Sequence, residues 1–445
     1  MSDSGLSILA TGTSGRALVL HPFAKARGAE TGRAWRRPQA RLEEAIGLAR
    51  AISLDVKGAE LVPLERPRPS TMLGTGKVEA LKASIAASEI EVVIVDGELT
   101  PVQQRNLEKA WNCKVIDRTG LILEIFGARA QTSEGRLQVE LARLTYERSR
   151  LVRTWTHLER QRGGLGAVGG PGESQLESDR RLLDQRIVRL KRRLEGVGRT
   201  RELHRKSRRQ APWPVVALVG YTNAGKSTLF NRLTSERVYA DNLLFATLDP
   251  TMRVLELGGG QRIVLSDTVG FVSDLPTQLI AAFRATLEEV LEADLILHVR
   301  DIAHPDSEAQ ARDVEAVLAE LGVDAGDDDL IVEVLNKIDL LDDVALLRTE
   351  NGARRHPTRA AVSALTGAGI DELLRVVAAR LGRERRVVEI DLDAGDGKSL
   401  AWLYSHAEVL SRDDRGGQVH LKVTLDPANL GRWLKRAGEA RDTGT

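Results

Sequence analysis

Along residues 16–134 the apolar positions switch repeatedly between two periods, and the switching itself predicts a layered fold. Short apolar runs at Arg16–Leu20, Ala59–Val62, Glu91–Val95 and Lys114–Ile116 read as strands. Between them Ala40–Ile52 carries Leu42, Ala45, Ile46, Leu48 and Ala49 at helical spacing, and Lys77–Ala87 and Pro101–Trp111 also read as helices. Strands alternating with helices predict a small, mainly parallel sheet with covering helices. Residues 1–15, rich in Ser, Gly and Thr, are expected to form a flexible start.

From Gly135 the apolar positions recur every seven residues. Leu137, Leu144, Leu151 and Leu158 are followed, after one interruption, by Leu176, Leu183, Leu190 and Val197, with Ile187 and Leu194 interleaved. Matching seams predict an antiparallel helical hairpin over residues 135–210. Its connector, Arg162–Gly172, is glycine-rich, and with Glu173–Glu177 it forms a tip that buries little of itself and lets a partner's backbone approach closely. Residues 180–209 add a basic run: Arg180, Arg181, Arg186, Arg189, Lys191, Arg192, Arg193, Arg199, Arg201, Arg205, Lys206, Arg208 and Arg209. Such a run is either a solvated helix face or a surface for a phosphate backbone, and the length and glycine tip favour the second.

After the boundary at Ala211–Pro214, the apolar run Pro214–Val219 leads into Gly220-Tyr221-Thr222-Asn223-Ala224-Gly225-Lys226-Ser227, which fits G-x-x-x-x-G-K-[ST] between a strand and a helix. Its backbone N–H groups are expected to face phosphate oxygens, Lys226 to reach the β- and γ-phosphates, and Ser227 to ligate Mg²⁺. Three further loops follow in the order a Ras-like GTPase needs. Phe245-Ala246-Thr247-Leu248-Asp249-Pro250 is the expected switch I, with Thr247 as a metal ligand and Thr251 as the alternative. In Asp267-Thr268-Val269-Gly270, Asp267 is expected to hold Mg²⁺ through water and Gly270 N–H to sense the γ-phosphate. In Asn336-Lys337-Ile338-Asp339, the Asp339 carboxylate accepts the two N–H donors of guanine and Asn336 ties the loop together; Val362-Ser363-Ala364-Leu365 supplies a backbone N–H for the guanine O6. Guanine is therefore expected over adenine. Phe271 stands where a water-orienting glutamine is usual, so unaided hydrolysis is expected to be slow.

This nucleotide domain is expected to span residues 211–382. Beyond it, residues 383–445 predict strands at Arg386–Ile390 and Gln418–Val423 and helices at Ser399–Ser411 and Pro427–Arg436. The fold class is thus α/β: an N-terminal α/β domain, a long helical hairpin, a central P-loop domain and a small C-terminal α/β domain.

Composition refines this picture in three ways. The 64 Lys and Arg against 63 Asp and Glu in 445 residues give a net charge of +1, so attraction to nucleic acid must come from uneven placement. No apolar run approaches the roughly 20 residues that span a bilayer, and residues 1–15, lacking a long apolar stretch, are not expected to be a signal peptide. A lone cysteine, Cys113, forms no intrachain disulfide and is expected to be a small buried residue, while His406 and His420 are read as structural. A cytoplasmic monomer, with at most peripheral membrane contact, is the simplest expectation.

Taken together these residues resemble the HflX family of ribosome-associated GTPases, over nearly the whole chain. Its signature is close to G-G-x-G-x-R-G-P-G-E-T-Q-L-E-x-D-R-R, against Gly163-Gly164-Leu165-Gly166-Ala167-Val168-Gly169-Gly170-Pro171-Gly172-Glu173-Ser174-Gln175-Leu176-Glu177-Ser178-Asp179-Arg180-Arg181 here. Asp117-Arg118-Thr119-Gly120-Leu121-Ile122-Leu123 and the P-loop extended by Thr228 look like further hallmarks. The resemblance implies a factor that binds the large ribosomal subunit and its rRNA, with the tip near the peptidyl-transferase centre, and uses GTP to split or rescue stalled ribosomes under stress. It also implies ATP binding in the first domain, for which Gly74–Lys77, in the glycine turn that opens a helix, is a candidate. Two departures stand out: the tip arginine is replaced by Val168-Gly169-Gly170 with one extra residue, and Ser174 replaces threonine. The alternatives are an RNA-binding assembly module with a structural nucleotide site, and a tRNA-modifying GTPase.

Overall fold

The structure, a computed structural model, describes residues 15–24, 37–161, 171–208, 213–234, 251–257, 261–273, 290–324, 326–327, 329–382, 386–425, 429–434 and 436. The expected start at 1–14, the tip residues 162–170 and the switch loop Phe245–Pro250 lie outside these residues.

Among the described residues the chain forms three sheets. The first joins β1 (Arg16–Ala24), β2 (Asp55–Leu64), β3 (Val92–Val95) and β4 (Lys114–Asp117) in the order β2-β1-β3-β4, every pair parallel. All of β3 is buried, as a strand covered on both faces must be, which is why its sequence is Val-Val-Ile-Val without alternation. Helices α1 (Pro38–Ala51), α2 (Thr75–Ala87) and α3 (Pro101–Trp111) supply the connections. Local chemistry fixes the start of α3. Thr100 Oγ1 accepts from Gln103 N at 3.2 Å while Gln103 Oε1 accepts from Thr100 N at 2.9 Å, and Pro101 occupies a position whose N–H would have no helical partner.

A fourth helix, α4 (Arg118–Arg129), was not expected from the sequence. Its run Leu121–Phe126 is buried throughout, Glu124 included, so it shows no helical period to read. Asp117 starts it by accepting from Gly120 N at 2.8 Å. The hairpin follows as α5 (Ser133–Gln161) and α6 (Pro171–Arg208), with Leu144, Ile187 and Leu190 buried between them and Leu137, Leu141 and Leu183 packed alongside. The seam expected from the seven-residue spacing is therefore present at the hairpin base.

The second sheet contains β5 (Val215–Gly220), β6 (Thr251–Glu256), β7 (Arg262–Asp267), β8 (Leu295–Asp301), β9 (Ile331–Asn336) and β10 (Arg359–Ala361), in the order β10-β9-β8-β5-β7-β6. Only β6 runs antiparallel, along the edge of β7. Successive strands leave β5 on opposite sides, so a crevice opens at its C-terminal end, where open α/β sheets bind ligands. The expected nucleotide loops after β5, β7 and β9 all emerge at that edge.

The third sheet, in the order β11-β13-β12, is antiparallel: β11 (Arg386–Asp393), β12 (Glu408–Arg415) and β13 (Gln418–Leu425). Here one expectation fails. The helix foreseen over Ser399–Ser411 is Gly397–His406, after which Ala407 turns extended (φ −132°, ψ 155°) and residues from Glu408 pair with β13. Strand pairing overrides the local helical period there. His406 stacks on Trp402 with ring centroids 4.5 Å apart, and His420 pairs with Asp391, so both act within the fold. No group of metal-binding side chains and no helix long and apolar enough to cross a membrane occurs among the described residues. Cys113 is half-buried, and burial pushes its thiol up to about 11.

One apolar cluster is shared between the first two sheets, running from Val19, Ile94 and Ile122 to Tyr221, Val269, Phe271 and Val272. The N-terminal sheet therefore packs against the edge where the nucleotide loops emerge.

Candidate active site

The loop after β5 has a shape that only glycine permits at two positions. Gly220 has φ 152° and a Cβ there would sit 2.2 Å from Val299 O; Gly225 has φ 95° and a Cβ would sit 2.3 Å from Asn336 Nδ2. Helix α7 (Lys226–Thr234) begins immediately after. Lys226 is buried, and its ammonium donates to the carbonyl oxygens of Gly220 and Tyr221 at 3.0 and 2.9 Å, so it arches back over its own loop. Burial lowers its pKa to about 8, against the pull of Asp267, which favours the charged form. An anion delivered to this loop would restore the full charge.

Beside the lysine, Ser227 Oγ donates to Asp267 Oδ2 at 2.7 Å, which places a hydroxyl and a carboxylate oxygen side by side. The loop after β7 is laced to the P-loop along its length. Thr268 Oγ1 donates to Leu218 O at 2.5 Å, Phe271 N to Gly220 O at 3.1 Å, and Thr222 N to Phe271 O at 2.7 Å. Gly270 lies so close that an added Cβ would be 3.0 Å from both Lys226 Nζ and Thr222 Cα. Val269 is buried, and Phe271 is 1% exposed in the shared apolar cluster. The phenyl ring is a packing group there, and nothing about it acts as a base. Thr222 Oγ1 is buried without a hydrogen-bond partner in a loop that faces phosphates in this architecture.

A third group of residues braces the loop after β9 against both others. Asn336 Nδ2 donates to Ala224 O at 2.8 Å, while its Oδ1 accepts from Ala364 N at 3.0 Å. Lys337 takes a left-handed conformation (φ 66°) and its ammonium donates to Asp301 at 2.7 Å. Ile338 is buried, turning Asp339 outward, and Ser363 Oγ donates to Asp339 Oδ1 at 2.5 Å. Arg232 reaches from α7 to the carbonyl of Ala364 at 3.1 Å, and Leu365 is left exposed. Asn223, itself left-handed at φ 60°, is exposed at the crown of the P-loop.

The structure thus brings together Gly220–Ser227, Asp267–Gly270, Asn336–Asp339 and Ser363–Leu365. Phe245, Ala246, Thr247, Leu248 and Asp249 lie outside the described residues. The other glycine turn is of a different kind: Lys77 is salt-bridged to Glu60 at the first turn of α2, and neither Gly74 nor Gly76 is crowded by any neighbour.

Sequence reading missed a charged cluster that abuts this site from the N-terminal sheet. Arg118, almost fully buried, donates to Asp96 and Glu44 at 2.5 Å each and to Ser273, just past Phe271, through Nη2 at 2.9 Å and Nε at 3.2 Å. Tyr221 of the P-loop donates to Glu44 at 3.0 Å and accepts from Ser273 N at 2.8 Å. Burial alone would raise the Asp96 carboxyl, yet Arg118, His21 and Arg41 hold it well below the usual carboxylate range. The one sequence signal is Asp117–Leu123, a hallmark of the family resemblance that says nothing of these partners.

A strand–glycine loop–helix with a buried lysine, a hydroxyl–carboxylate pair and an Asn-Lys-x-Asp loop braced on the P-loop defines a P-loop GTPase. Family models agree along the chain: "GTP-binding GTPase N-terminal" over residues 39–127, "GTP-binding GTPase Middle Region" over 129–208, "50S ribosome-binding GTPase" over 215–337 and "HflX C-terminal domain" over 349–443. The chain belongs to the HflX family of GTPases, enzymes that bind and hydrolyse GTP. It is 51% identical to the GTPase HflX of Magnetococcus marinus, covering 88% of this chain and 89% of that one, and 46% identical to the GTPase HflX of Escherichia coli, covering 83% and 86%. The crystal structure of the SsGBP and GDP complex is similar at 24% identity and a TM-score of 0.48, covering 82% of this chain and 98% of that one.

Proposed function

We propose that this chain is a Mg²⁺-dependent GTP switch of the cytoplasm that grips the large ribosomal subunit in its GTP form and splits or rescues stalled ribosomes. The observation that carries the reading is the joining of Lys226, Ser227 and Asp267 to a guanine-type loop through Asn336. Lys226 stabilises charge on the γ-phosphate as water attacks phosphorus, and Gly270 N–H reports whether that phosphate is there. Asp339 accepts from guanine, with Ser363 holding the carboxylate in place.

Mg²⁺ fits the donor set: Ser227 and Asp267 offer adjacent hard oxygens, and Thr247 would add a third when a γ-phosphate is present. When bound, the ion neutralises phosphate charge. Because Phe271 is packed in the core, the reading expects slow hydrolysis that ribosomes accelerate.

The ribosomal partner is supported by charge placement. Arg180, Arg181, Arg189, Lys191, Arg192 and Arg193 are exposed along α6, whereas Arg186 is drawn onto Glu140 at 2.6 Å. Most of the described basic run is thus open to phosphate, in a chain whose net charge is only +1. The family model over residues 215–337, described as "50S ribosome-binding GTPase", points the same way. Single-turnover GTP hydrolysis with and without large subunits tests the proposal: a rise of at least about tenfold is expected, and equal rates would remove the switch.

A further inference from the structure

Asp117 and Arg118 are neighbours in sequence, are both buried, and bind in different directions. Asp117 holds the hairpin. Its Oδ1 accepts from the Tyr146 hydroxyl at 2.6 Å, and its Oδ2 accepts from Arg150, whose guanidinium also lies 4.3 Å from the centre of the Tyr146 ring. Tyr146 and Arg150 are one turn apart on α5, and Leu99 N donates to the same Asp117 carboxylate at 3.3 Å. Arg118 holds the exit of the γ-phosphate loop. Its fork spans Asp96, Glu44 and Ser273, while Arg41 adds a donor to Ser273 Oγ at 2.5 Å. Glu44 in turn accepts from Tyr221 of the P-loop.

Arg118 Nη2 and Nε therefore sit on a residue three positions past Gly270, and the peptide bond before Arg118 leads straight to the carboxylate that seats α5. Buried charge networks of this kind have few alternative arrangements, because displacing one partner strands the others. A guanidinium fork also fixes direction in a way a lysine cannot.

We propose that Asp117 and Arg118 form a coupler through which the N-terminal sheet positions the Gly270–Ser273 segment for hydrolysis and passes its nucleotide-dependent setting to the hairpin. Arg118, Glu44 and Arg41 are positioning residues, acting through Ser273 and Tyr221 without touching the nucleotide. The inference rests on the proposed role of Gly270 as the γ-phosphate sensor.

Hydrogen exchange of the full-length chain, with GDP or a non-hydrolysable GTP analogue, tests it in wild type, Arg118→Lys and Tyr146→Phe. In wild type, amides of α5 around Tyr146 should differ in protection between the two nucleotides. Arg118→Lys, which keeps the charge but loses the fork, should abolish that difference in α5. Tyr146→Phe removes one hydroxyl from the hairpin seat; it should retain GDP affinity and the nucleotide response of residues 267–273 while losing the response of α5. A difference that persists in α5 of both variants, or its absence from wild type that binds both nucleotides, overturns the coupler alone. A wild-type chain that bound neither nucleotide would instead overturn the reading of the site, and the coupler with it.

Discussion

Two of the glycine turns that open helices among the described residues, those before Lys226 and at Lys77, differ in what surrounds them. At the P-loop, Gly220 and Gly225 adopt positive φ and have neighbours at 2.2 and 2.3 Å from where a Cβ would be; at the N-terminal turn, Gly74 and Gly76 face open space. Lys226 is buried and bonded to backbone carbonyls, while Lys77 is half-exposed and neutralised by Glu60. A phosphate site is thus marked by a buried cation held on backbone carbonyls, in a loop too tight for a side chain. A glycine before a helix does not mark one by itself.

Replacing the two lysines should give the widest separation. Lys226→Ala should reduce single-turnover GTP hydrolysis by about 10²–10³, the scale for losing one preorganised charge stabiliser. Lys77→Ala should leave hydrolysis unchanged and alter unfolding free energy by less than about 1 kcal/mol, as exposed pairs do. Equal losses in both would erase the distinction. At the base loop, Asp339→Asn exchanges an acceptor pair for a mixed one. It should weaken GTP and GDP binding alike by about 10–150-fold, the loss of hydrogen bonds to a charged group of about 1.5–3 kcal/mol, in direct titrations.

Acidity sharpens the contrast further. With the pKa of Lys226 lowered to about 8 by burial, the ammonium is charged below that pH and affinity for GDP should be flat there. Above it, binding must bring a proton, so affinity should fall by up to about tenfold per pH unit. Calorimetry in buffers of different ionisation enthalpy would show that proton uptake; affinity rising with pH would contradict it. The smallest effect belongs to the uncrowded glycine. Gly76→Ala should stabilise the chain by about 0.5 kcal/mol through α2, whereas Gly225→Ala must displace Asn336 and should lower GDP affinity.

The P-loop was legible in the sequence because strand, loop and helix are contiguous there, so its geometry follows from local order. Asn336 was legible as the tie between loops for the same reason: its Asn-Lys-x-Asp pattern closes a strand. Helix α4 was not, because a segment buried on every side carries no period, and the last strand pair was read partly as helix because pairing with β13 outweighs local preference. The Arg118 network was out of reach: Ser273 lies 155 residues away, and Arg41 and Glu44 look like ordinary charges on the polar face of α1. Only folding reveals that this face meets the nucleotide loops.

The central claim is that a bound triphosphate decides how the basic hairpin meets the ribosome. Co-sedimentation of the full-length chain with large ribosomal subunits, in GDP and in a non-hydrolysable GTP analogue, tests it most directly. The account predicts retention with the analogue and release with GDP; the same retention with either nucleotide would contradict it.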